Sequence, residues 1–204
     1  MRCVAVLGLS VPDFWIALVF QLIFFATLGL VPFGGRLGTG IAAPDFVTGF
    51  MTVDSLIAGR FDLFTDALHH MILPVAVLAI PSMAITIRVV RTSLLEVLSQ
   101  DFIRTARSKG VSPARVYFKH ALGNALLPIV TIFGLNTGLL ISGAVFIELI
   151  FNWPGLGRYT ANAISASDYN AIMAITLVVS VAYTLINFLV DLSYSFLDPR
   201  VDLT

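Results

Sequence analysis

Residues 121–147 read ALGNALLPIVTIFGLNTGLLISGAVFI and contain no charged side chain. A helix needs about 20 mainly apolar residues to cross the hydrocarbon core of a bilayer, so this run predicts a membrane-spanning helix. Three further runs of the chain are similarly apolar and lie on either side of this one, at residues 14–31, 71–87 and 169–190. Together the four runs occupy too much of the chain to be the buried core helices of a soluble protein.

The composition also favours a chain that lies in a membrane. Hydrophobic residues make up 58% and charged residues 12% of the 204 residues, with a mean hydropathy of +0.94, whereas about 25% of the residues of soluble domains are charged. The net charge is zero, so the chain as a whole has no basic field that would attract nucleic acid. Cys3 has no second cysteine with which to form an intrachain disulfide. The predicted fold class is all-α, a polytopic membrane helix bundle with about four spanning helices.

The first apolar run follows Met1 and Arg2 closely, as the core of a secretory signal peptide would. However, the run is longer than such a core, and Pro12 and Asp13 interrupt its beginning. No small-residue cleavage motif follows it cleanly. We therefore expect this run to be retained as a spanning helix.

The basic side chains are concentrated between the second and third apolar runs. Residues 88–120 hold seven of the chain's twelve lysines and arginines, against only Glu96 and Asp101 as acids. An excess of lysine and arginine in a short loop marks the cytoplasmic side of a membrane. The segments at residues 32–70 and 148–168 are then external, and both termini are predicted to be cytoplasmic.

The basic loop has a helical pattern of its own. Apolar residues keep mostly helical spacing from residue 89 to 106, and the basic residues at 104, 107 and 109 suit the C-terminal end of a helix because of its dipole. Gly110 predicts the stop. Ser112 followed by Pro113 predicts the N-cap and the first-turn proline of a second helix, which is expected to continue through residues 116–121 towards the membrane.

Three interpretations of the basic loop remain open from the residues alone. The loop is a topology anchor, a binding site for anionic lipids, or a helix–glycine–helix unit that docks in the groove of a cytoplasmic protein. The first interpretation explains the charges but not the order glycine, valine, serine, proline at residues 110–113. The third also explains the apolar stripe, which needs something to cover it.

Several stretches of the chain resemble one known family. In the basic loop they are RTSLLEVL at residues 91–98, DFIRTARSKG at 101–110 and HALGNALLP at 120–128. Elsewhere they are LSVPDFW at 9–15, HMILP at 70–74, FNWPGLGR at 151–158 and LDPRV at 197–201. Together these stretches resemble the permeases of bacterial ABC importers, in the dipeptide, oligopeptide and nickel group with a type I ABC transmembrane domain.

The resemblance implies that residues 91–122 form the cytoplasmic loop that couples transport to ATP. In this family the loop carries the EAA motif, whose helix lies in a cleft of the ATPase subunit. By position the triplet begins at Arg104, which departs from the usual glutamate as it often does in the peptide group, and the motif glycine is Gly110. The expected ATPase-coupling residues are Asp101, Arg104, Thr105, Ala106, Arg107, Gly110, Val111 and Ser112.

The resemblance further implies a transport subunit, not an enzyme, in the plasma (inner) membrane of a bacterium. Its expected partners are ABC ATPase subunits, a second permease subunit, an extracytoplasmic substrate-binding protein and the lipid bilayer, with no cofactor and no nucleic acid. Di- and oligopeptides are the first expectation for the substrate, and nickel or another small solute is the alternative. Transport is expected to occur by alternating access.

Members of this family usually begin with a further spanning helix, a sizeable external loop and a second helix. Here Met1 lies just before what resembles the third helix of the family. The expected domain is therefore a permease domain over residues 1–204 without those N-terminal helices. We expect either a fragment, with a non-functional remnant as one alternative, or a shortened permease, and favour the fragment.

Three polar side chains, Asn136, Asn187 and Asp191, fall deep inside the apolar runs. An acid within a spanning segment is by default a candidate functional residue. Two interpretations of Asp191 remain open. Either it is a functional residue, or it pairs with a loop arginine near the inner end of its helix. The two asparagines are candidates for hydrogen bonds between helices.

The external segment at residues 148–158 combines aromatic and turn-forming residues. It resembles a re-entrant turn beside a gate, and the candidate gate-flanking residues are Glu148, Trp153, Pro154 and Gly155. The alternative is an aromatic anchor at the membrane surface, where tryptophan is common.

Other chemistry has little support in the sequence. Neither a phosphate-binding loop of the GxxxxGK[ST] type nor an HExxH or GxSxG motif occurs. His69 and His70 are adjacent, so on a helix they point in different directions and form a poor metal pair. A membrane-embedded enzyme that uses these histidines or Asp191 is the weakest alternative, because its polar groups are scattered, and no metal site is expected.

Overall fold

The structure is a computed structural model that describes residues 12–197, with side chains described throughout that range except at residues 139, 141–143 and 195–197. Cys3, the beginning of the motif at residues 9–15 and most of the motif at 197–201 lie outside the described residues. Every regular element within the described range is helical, so the predicted all-α fold class is confirmed.

The helices follow one another with short connections, except for one long segment after the first. In chain order they are α1 (Asp13–Phe20), α2 (Met51–Ile57), α3 (Phe61–Leu98), α4 (Asp101–Ser108), α5 (Pro113–Arg115), α6 (Leu122–Ile150), α7 (Leu156–Ser165) and α8 (Tyr169–Leu197). Two π-helical turns accompany them: Gln21–Thr27 continues α1, and Val116–Ala121 joins α5 to α6.

Three helical stretches between residues 12 and 197 are long and apolar enough to cross a membrane: Phe61–Leu98, Pro113–Gly138 and Tyr169–Tyr194. They correspond to the predicted runs that begin at residues 71, 121 and 169. Pro74 and Pro81 lie inside α3, and Pro128 lies inside α6. Spanning helices tolerate such prolines because neighbouring helices and hydroxyl side chains compensate for the lost backbone hydrogen bonds.

The first apolar run forms a shorter helix than predicted. Helix α1 and the π-helical turn after it end at Thr27, so the chain is not helical up to residue 31. Gly29 has a φ of +59°, the left-handed geometry that commonly ends helices, and the Leu30 amide donates to the Phe24 carbonyl at 2.9 Å. The described residues thus contain three long apolar helices and this shorter one, instead of four of full length.

The second run, in contrast, belongs to a helix that continues well beyond both predicted ends. His69, His70 and Arg88 flank its apolar residues, yet α3 includes all three of them. Polar residues show where a helix leaves the hydrocarbon of the bilayer. The helix itself continues beyond that point for as long as its backbone N–H and C=O groups remain hydrogen-bonded. With 38 residues, α3 is about 57 Å long, roughly twice the hydrocarbon thickness of about 30 Å.

The described residues form two compact units, each with an apolar core of its own. The first unit comprises the chain up to residue 81 together with residues 141–176, and its core draws on α1, α3 and α6. Its buried members are Ala17, Val31, Leu73, Val77, Ile147 and Phe151. The second unit comprises residues 82–140 and those from 177 onward, and its core lies at the basic loop.

In the first unit, one carboxylate organises the segment that leads into α2. Asp54 is buried and accepts hydrogen bonds from the Thr48 hydroxyl at 2.6 Å, the Thr48 amide at 2.8 Å and the Gly49 amide at 3.0 Å. The Thr48 hydroxyl is the main cause that lowers the pKa of Asp54 below its ordinary value; burial opposes it, and the backbone amides reinforce it. The charged form of Asp54 therefore stabilises residues 48–57.

We expect this segment to lose order only in strong acid. Because the pKa of Asp54 is lowered in the folded state, its stabilisation is complete above about pH 4 and disappears as the pH falls through the lowered value. Amide hydrogen exchange at residues 48–57, corrected for the intrinsic rate, should therefore accelerate only below about pH 4.

Two variants test this assignment. Asp54→Asn is expected to remove the acid transition and to give fast exchange at neutral pH, because a side-chain amide offers one acceptor oxygen where the carboxylate offers two. Asp45→Asn is the matched control, since Asp45 is exposed in the same segment. Identical exchange profiles for the two variants would contradict the role of Asp54.

Candidate functional site

The basic loop folds around a small apolar core in the second unit. We call residues 99–121 the basic segment. Its core combines the end of α3, the helix α4, the π-helical turn and the beginning of α6, and its buried members are Val97, Ile103, Val116, Ala121 and Ala125. Ile103, the buried residue of α4, is 0% exposed. The basic segment is therefore packed against both long helices that flank it.

Gly110 reverses the chain at the end of α4, as predicted. Its φ of +75° lies in the left-handed region, where residues with a Cβ are strained. The Gly110 amide donates to the Arg107 carbonyl at 2.9 Å, and the Val111 amide donates to the Ala106 carbonyl at 3.2 Å. These bonds satisfy carbonyls that the end of a helix would otherwise leave unpaired.

The predicted second helix begins where expected, but without the expected side-chain cap. Pro113 occupies the first turn of α5, and Ser112 stands at the N-cap position. The Ser112 side chain makes no capping hydrogen bond, although its backbone has the non-helical geometry of an N-cap residue. The helix then passes through the π-helical turn into α6.

A single helix over residues 89–106 was the wrong expectation, because the chain breaks at Ser99 and Gln100. Gln100 has an extended backbone, with φ −75° and ψ 151°, and the Ser99 hydroxyl donates to the Glu96 carbonyl at 2.7 Å. Asp101 then begins α4 with a carboxylate in its first turn, where it is favourable to the helix dipole. The break changes the direction of the chain, and Ile103 of α4 then packs in the core of the basic segment.

The eight expected ATPase-coupling residues divide into two groups. Ala106 and Val111 pack against the core of the basic segment and support it from inside. The others are exposed: Asp101, Arg104, Thr105, Arg107, Gly110 and Ser112. The Arg104 side chain is 79% exposed and lies 3.7 Å from the Asp101 carboxylate, a surface ion pair that contributes little to stability.

Two exposed aromatic residues of the basic segment were missed in the sequence. Phe118 is 75% exposed and its neighbour Tyr117 is 49% exposed, although both follow the start of a helix that leads to an apolar run. The sequence contained a signal for this exposure. Arg115 and Lys119 flank the two aromatic residues, and such basic residues indicate a stretch that faces water. Exposed aromatic residues beside basic ones are typical anchors of protein interfaces.

The turn between α6 and α7, in the first unit, is held by Glu148. Its carboxylate accepts the Arg158 amide at 2.9 Å and packs against Gly155, where a side chain would collide with it. The backbone carbonyl of Glu148 accepts a hydrogen bond from the Trp153 amide at 2.8 Å. Glu148 therefore caps the N-terminus of α7, a contact that the sequence did not predict, and of the other candidate gate-flanking residues Trp153 is half-buried and Pro154 is exposed.

A mainly apolar cavity of about 190 Å³ lies beside this turn within the first unit. It is lined by residues of α3, such as Pro74 and Leu78, and by Ala144, Glu148 and Trp153. Glu148 is the charged residue of this lining, and its carboxylate is engaged by the start of α7.

The polar residues inside the long helices of the second unit behave differently from one another. Asn136 is 6% exposed and donates to the Thr86 hydroxyl at 3.0 Å, which joins α6 to α3. Asp191 is exposed, and within the described residues it forms no ion pair with an arginine. Asn187 is half-buried. Within residues 12–197, no three metal-ligating side chains come together.

A comparison with protein families decides where the chain belongs. The family described as "Binding-protein-dependent transport system inner membrane component" matches residues 1–203. The chain belongs to this family. The resemblance to importer permeases is confirmed, and the chain is a multi-pass protein of the inner membrane.

Individual relatives of this inner membrane component carry more specific names. The chain is 44% identical over 198 residues to the di/tripeptide transport system permease protein DppB of Pseudomonas aeruginosa (strain UCBPP-PA14). It is 45% and 42% identical, over 198 and 199 residues, to the dipeptide transport system permease proteins DppB of Alkalihalophilus pseudofirmus and Escherichia coli (strain K12). Each alignment covers 97% of this chain but 59% of the relative.

Proposed function

We propose that the chain acts as a permease subunit of an ATP-driven importer of dipeptides and oligopeptides. The observation that supports this most is the basic segment, whose exposed basic surface is fixed to two long helices by a buried core. The names of the relatives, which are peptide-transport permeases, support peptides as the transported class.

In this proposal the chain does not hydrolyse ATP itself. Separate ATPase subunits bind the exposed candidate coupling residues of the basic segment, with Arg104 and Arg107 as the charged contacts. A second permease subunit completes the route, and an extracytoplasmic binding protein delivers the peptide. Closure of the ATPase dimer displaces the basic segment, and the core around Ile103 transmits this displacement to the spanning helices, giving alternating access.

The proposed orientation follows from the distribution of basic residues. In this proposal the basic segment lies in the cytoplasm. The shorter helix Asp13–Thr27 crosses the membrane as the three long helices do, so that both termini are cytoplasmic. The turn that Glu148 holds is then external and beside the entrance of the route.

The charge of Arg107 provides the test of coupling. We expect Arg107→Glu to reduce uptake of a radiolabelled dipeptide by roughly tenfold or more, because a like charge or an unpaired charge at a docking surface costs several kcal/mol. The amount of chain in the membrane should not change, since Arg107 is exposed. Uptake is measured in cells that also express the ATPase, partner permease and binding protein of the same system.

Arg115→Glu is the matched control for this variant. Arg115 is exposed in the same basic segment but is not a candidate coupling residue, so the change in net charge is identical. Uptake by Arg115→Glu is expected to stay close to that of the unchanged chain. An equal loss in both variants would favour the topology-anchor interpretation and contradict a specific docking contact.

A further inference from the structure

Four polar side chains follow one face of α8 in the second unit. They are Ser180, Thr184, Asn187 and Asp191, with successive spacings of four, three and four residues. At 3.6 residues per turn they fall within an arc of about 60°. We call this set the polar strip. It is about 16 Å long at 1.5 Å per residue, about half the hydrocarbon thickness of a bilayer.

The polar strip lies beside the side of α8 that contacts its neighbour α6. Helix α8 contacts α6 through an adjacent side, where Val190 lies over Gly134 and the Tyr194 hydroxyl is 2.7 Å from the Thr131 hydroxyl. The Thr184 hydroxyl donates to the Ser180 carbonyl of its own helix at 2.8 Å. Within the described residues, Asn187 and Asp191 make no hydrogen bond or ion pair.

The opposite face of the same helix has the character expected for contact with lipid. Leu185 and Leu189 are 56% and 59% exposed, and no polar residue separates them on that face. A charged side chain is disfavoured within the hydrocarbon of a bilayer, and the amide and hydroxyl groups of the strip add to that penalty. Asp191 and the strip therefore face water or protein, whereas the leucines face lipid.

We propose that the polar strip lines the water-filled route of the transported peptide, along the half of α8 nearer to its C-terminus. This inference rests on the proposed function. Charge complementarity supports a peptide as the occupant, because the Asp191 carboxylate matches the ammonium group at its N-terminus. The hydroxyl and amide groups of the strip match backbone N–H and C=O groups without selecting a side chain.

Accessibility of single cysteines tests the polar strip. In a Cys3→Ser background, Thr184→Cys and Asn187→Cys are compared with Leu185→Cys and Leu189→Cys, which lie at nearly the same depth. The variants are expressed with the partner permease, ATPase and binding protein, and inside-out and right-side-out vesicles are treated with a charged, membrane-impermeant thiol reagent. The strip cysteines are expected to react at least about tenfold faster than the leucine-face cysteines, since thiolates form only where water reaches them.

Three results separate the proposals. The proposal that the strip lines the route is supported if a saturating dipeptide slows modification of Asn187→Cys. The same dipeptide should not slow modification of a cysteine in the basic segment, such as Ser108→Cys. Strip cysteines as unreactive as the leucine-face ones overturn it, and so do reactive cysteines that a dipeptide does not protect. Dipeptide uptake by the Cys3→Ser chain is measured in parallel. Absence of uptake counts against the proposed function and against a peptide in the strip. Normal uptake together with unreactive strip cysteines counts against the strip alone.

Discussion

Ile103→Ala is expected to abolish coupling while the chain remains in the membrane. Ile103 is the buried side chain of α4, and it belongs to the core that the basic segment shares with the ends of both flanking long helices. Truncation of a buried isoleucine to alanine typically costs about 2–5 kcal/mol. Helix α4 has only eight residues, far fewer than an isolated helix needs to be stable in water, so this packing decides whether it is ordered.

Two measurements follow from the loss of that packing. Amide exchange at residues 101–108 should accelerate by roughly 30-fold, the factor that corresponds to 2 kcal/mol. Peptide uptake should fall in parallel, because displacement of a loose segment is not transmitted to the helices. Ser108→Ala, at an exposed position of the same helix, is expected to change neither quantity. Fast exchange together with normal uptake would show that the core of the basic segment does not transmit the movement.

Gly134→Ala is expected to separate α6 from α8. A Cβ at residue 134 would collide with Val190, whose β-branched side chain has little rotameric freedom on a helix. Inserting a methyl group into such a contact costs about 1–3 kcal/mol. The helix propensity of alanine recovers no more than about 1 kcal/mol of this loss, so the thermal unfolding midpoint in detergent should fall.

Gly123→Ala is the matched control on the same helix. Nothing lies within 4 Å of a Cβ built at residue 123, so the same change there should leave the midpoint unchanged or raise it slightly, by about 2–4 °C per kcal/mol. Adding Val190→Ala to the Gly134→Ala variant should restore part of the loss by removing the colliding methyl groups. If Gly134→Ala is as stable as Gly123→Ala, the close approach of α6 and α8 is wrong.

The sequence predicted the spanning helices well, because an uncharged run of bilayer length has few other solutions. It predicted their ends less well. Helix α3 continues past His70 and Arg88, since backbone hydrogen bonding does not require apolar side chains. Conversely, the first run stops at Thr27 because Gly29 adopts a left-handed conformation, which no apolar pattern reveals.

The basic segment shows which parts of a candidate site a sequence contains. Gly110 was predicted correctly because its left-handed conformation is one that other residues adopt poorly. Pro113 was predicted correctly because proline has no backbone N–H and is therefore tolerated in the first turn of a helix but not in its interior. The break at Ser99 was not, because apolar residues on both sides keep the spacing of one helix. The sequence also did not reveal which residues face outward, since the partial burial of Ala106 and the exposure of Phe118 depend on contacts between helices.

Glu148 illustrates a contact that sequence patterns do not encode. Its carboxylate meets the Arg158 amide only because the chain reverses between them, and the reversal needs Asn152 at a φ of +51°. Asparagine tolerates this geometry better than most residues with a Cβ. The candidate turn was thus located correctly in the chain, whereas the role of its acid could not be derived.

The packed basic segment also has a consequence for how a partner associates with it. A disordered segment that folded on docking would lose about 1–2 kcal/mol of backbone entropy per residue ordered, or about 8–16 kcal/mol for the eight residues of α4 alone. Here that entropy is already lost when the chain folds, since Ile103 and Gly110 fix α4 before any partner arrives. In the proposed complex this entropy is not lost again on docking, so the packed basic segment favours association with the ATPase subunits.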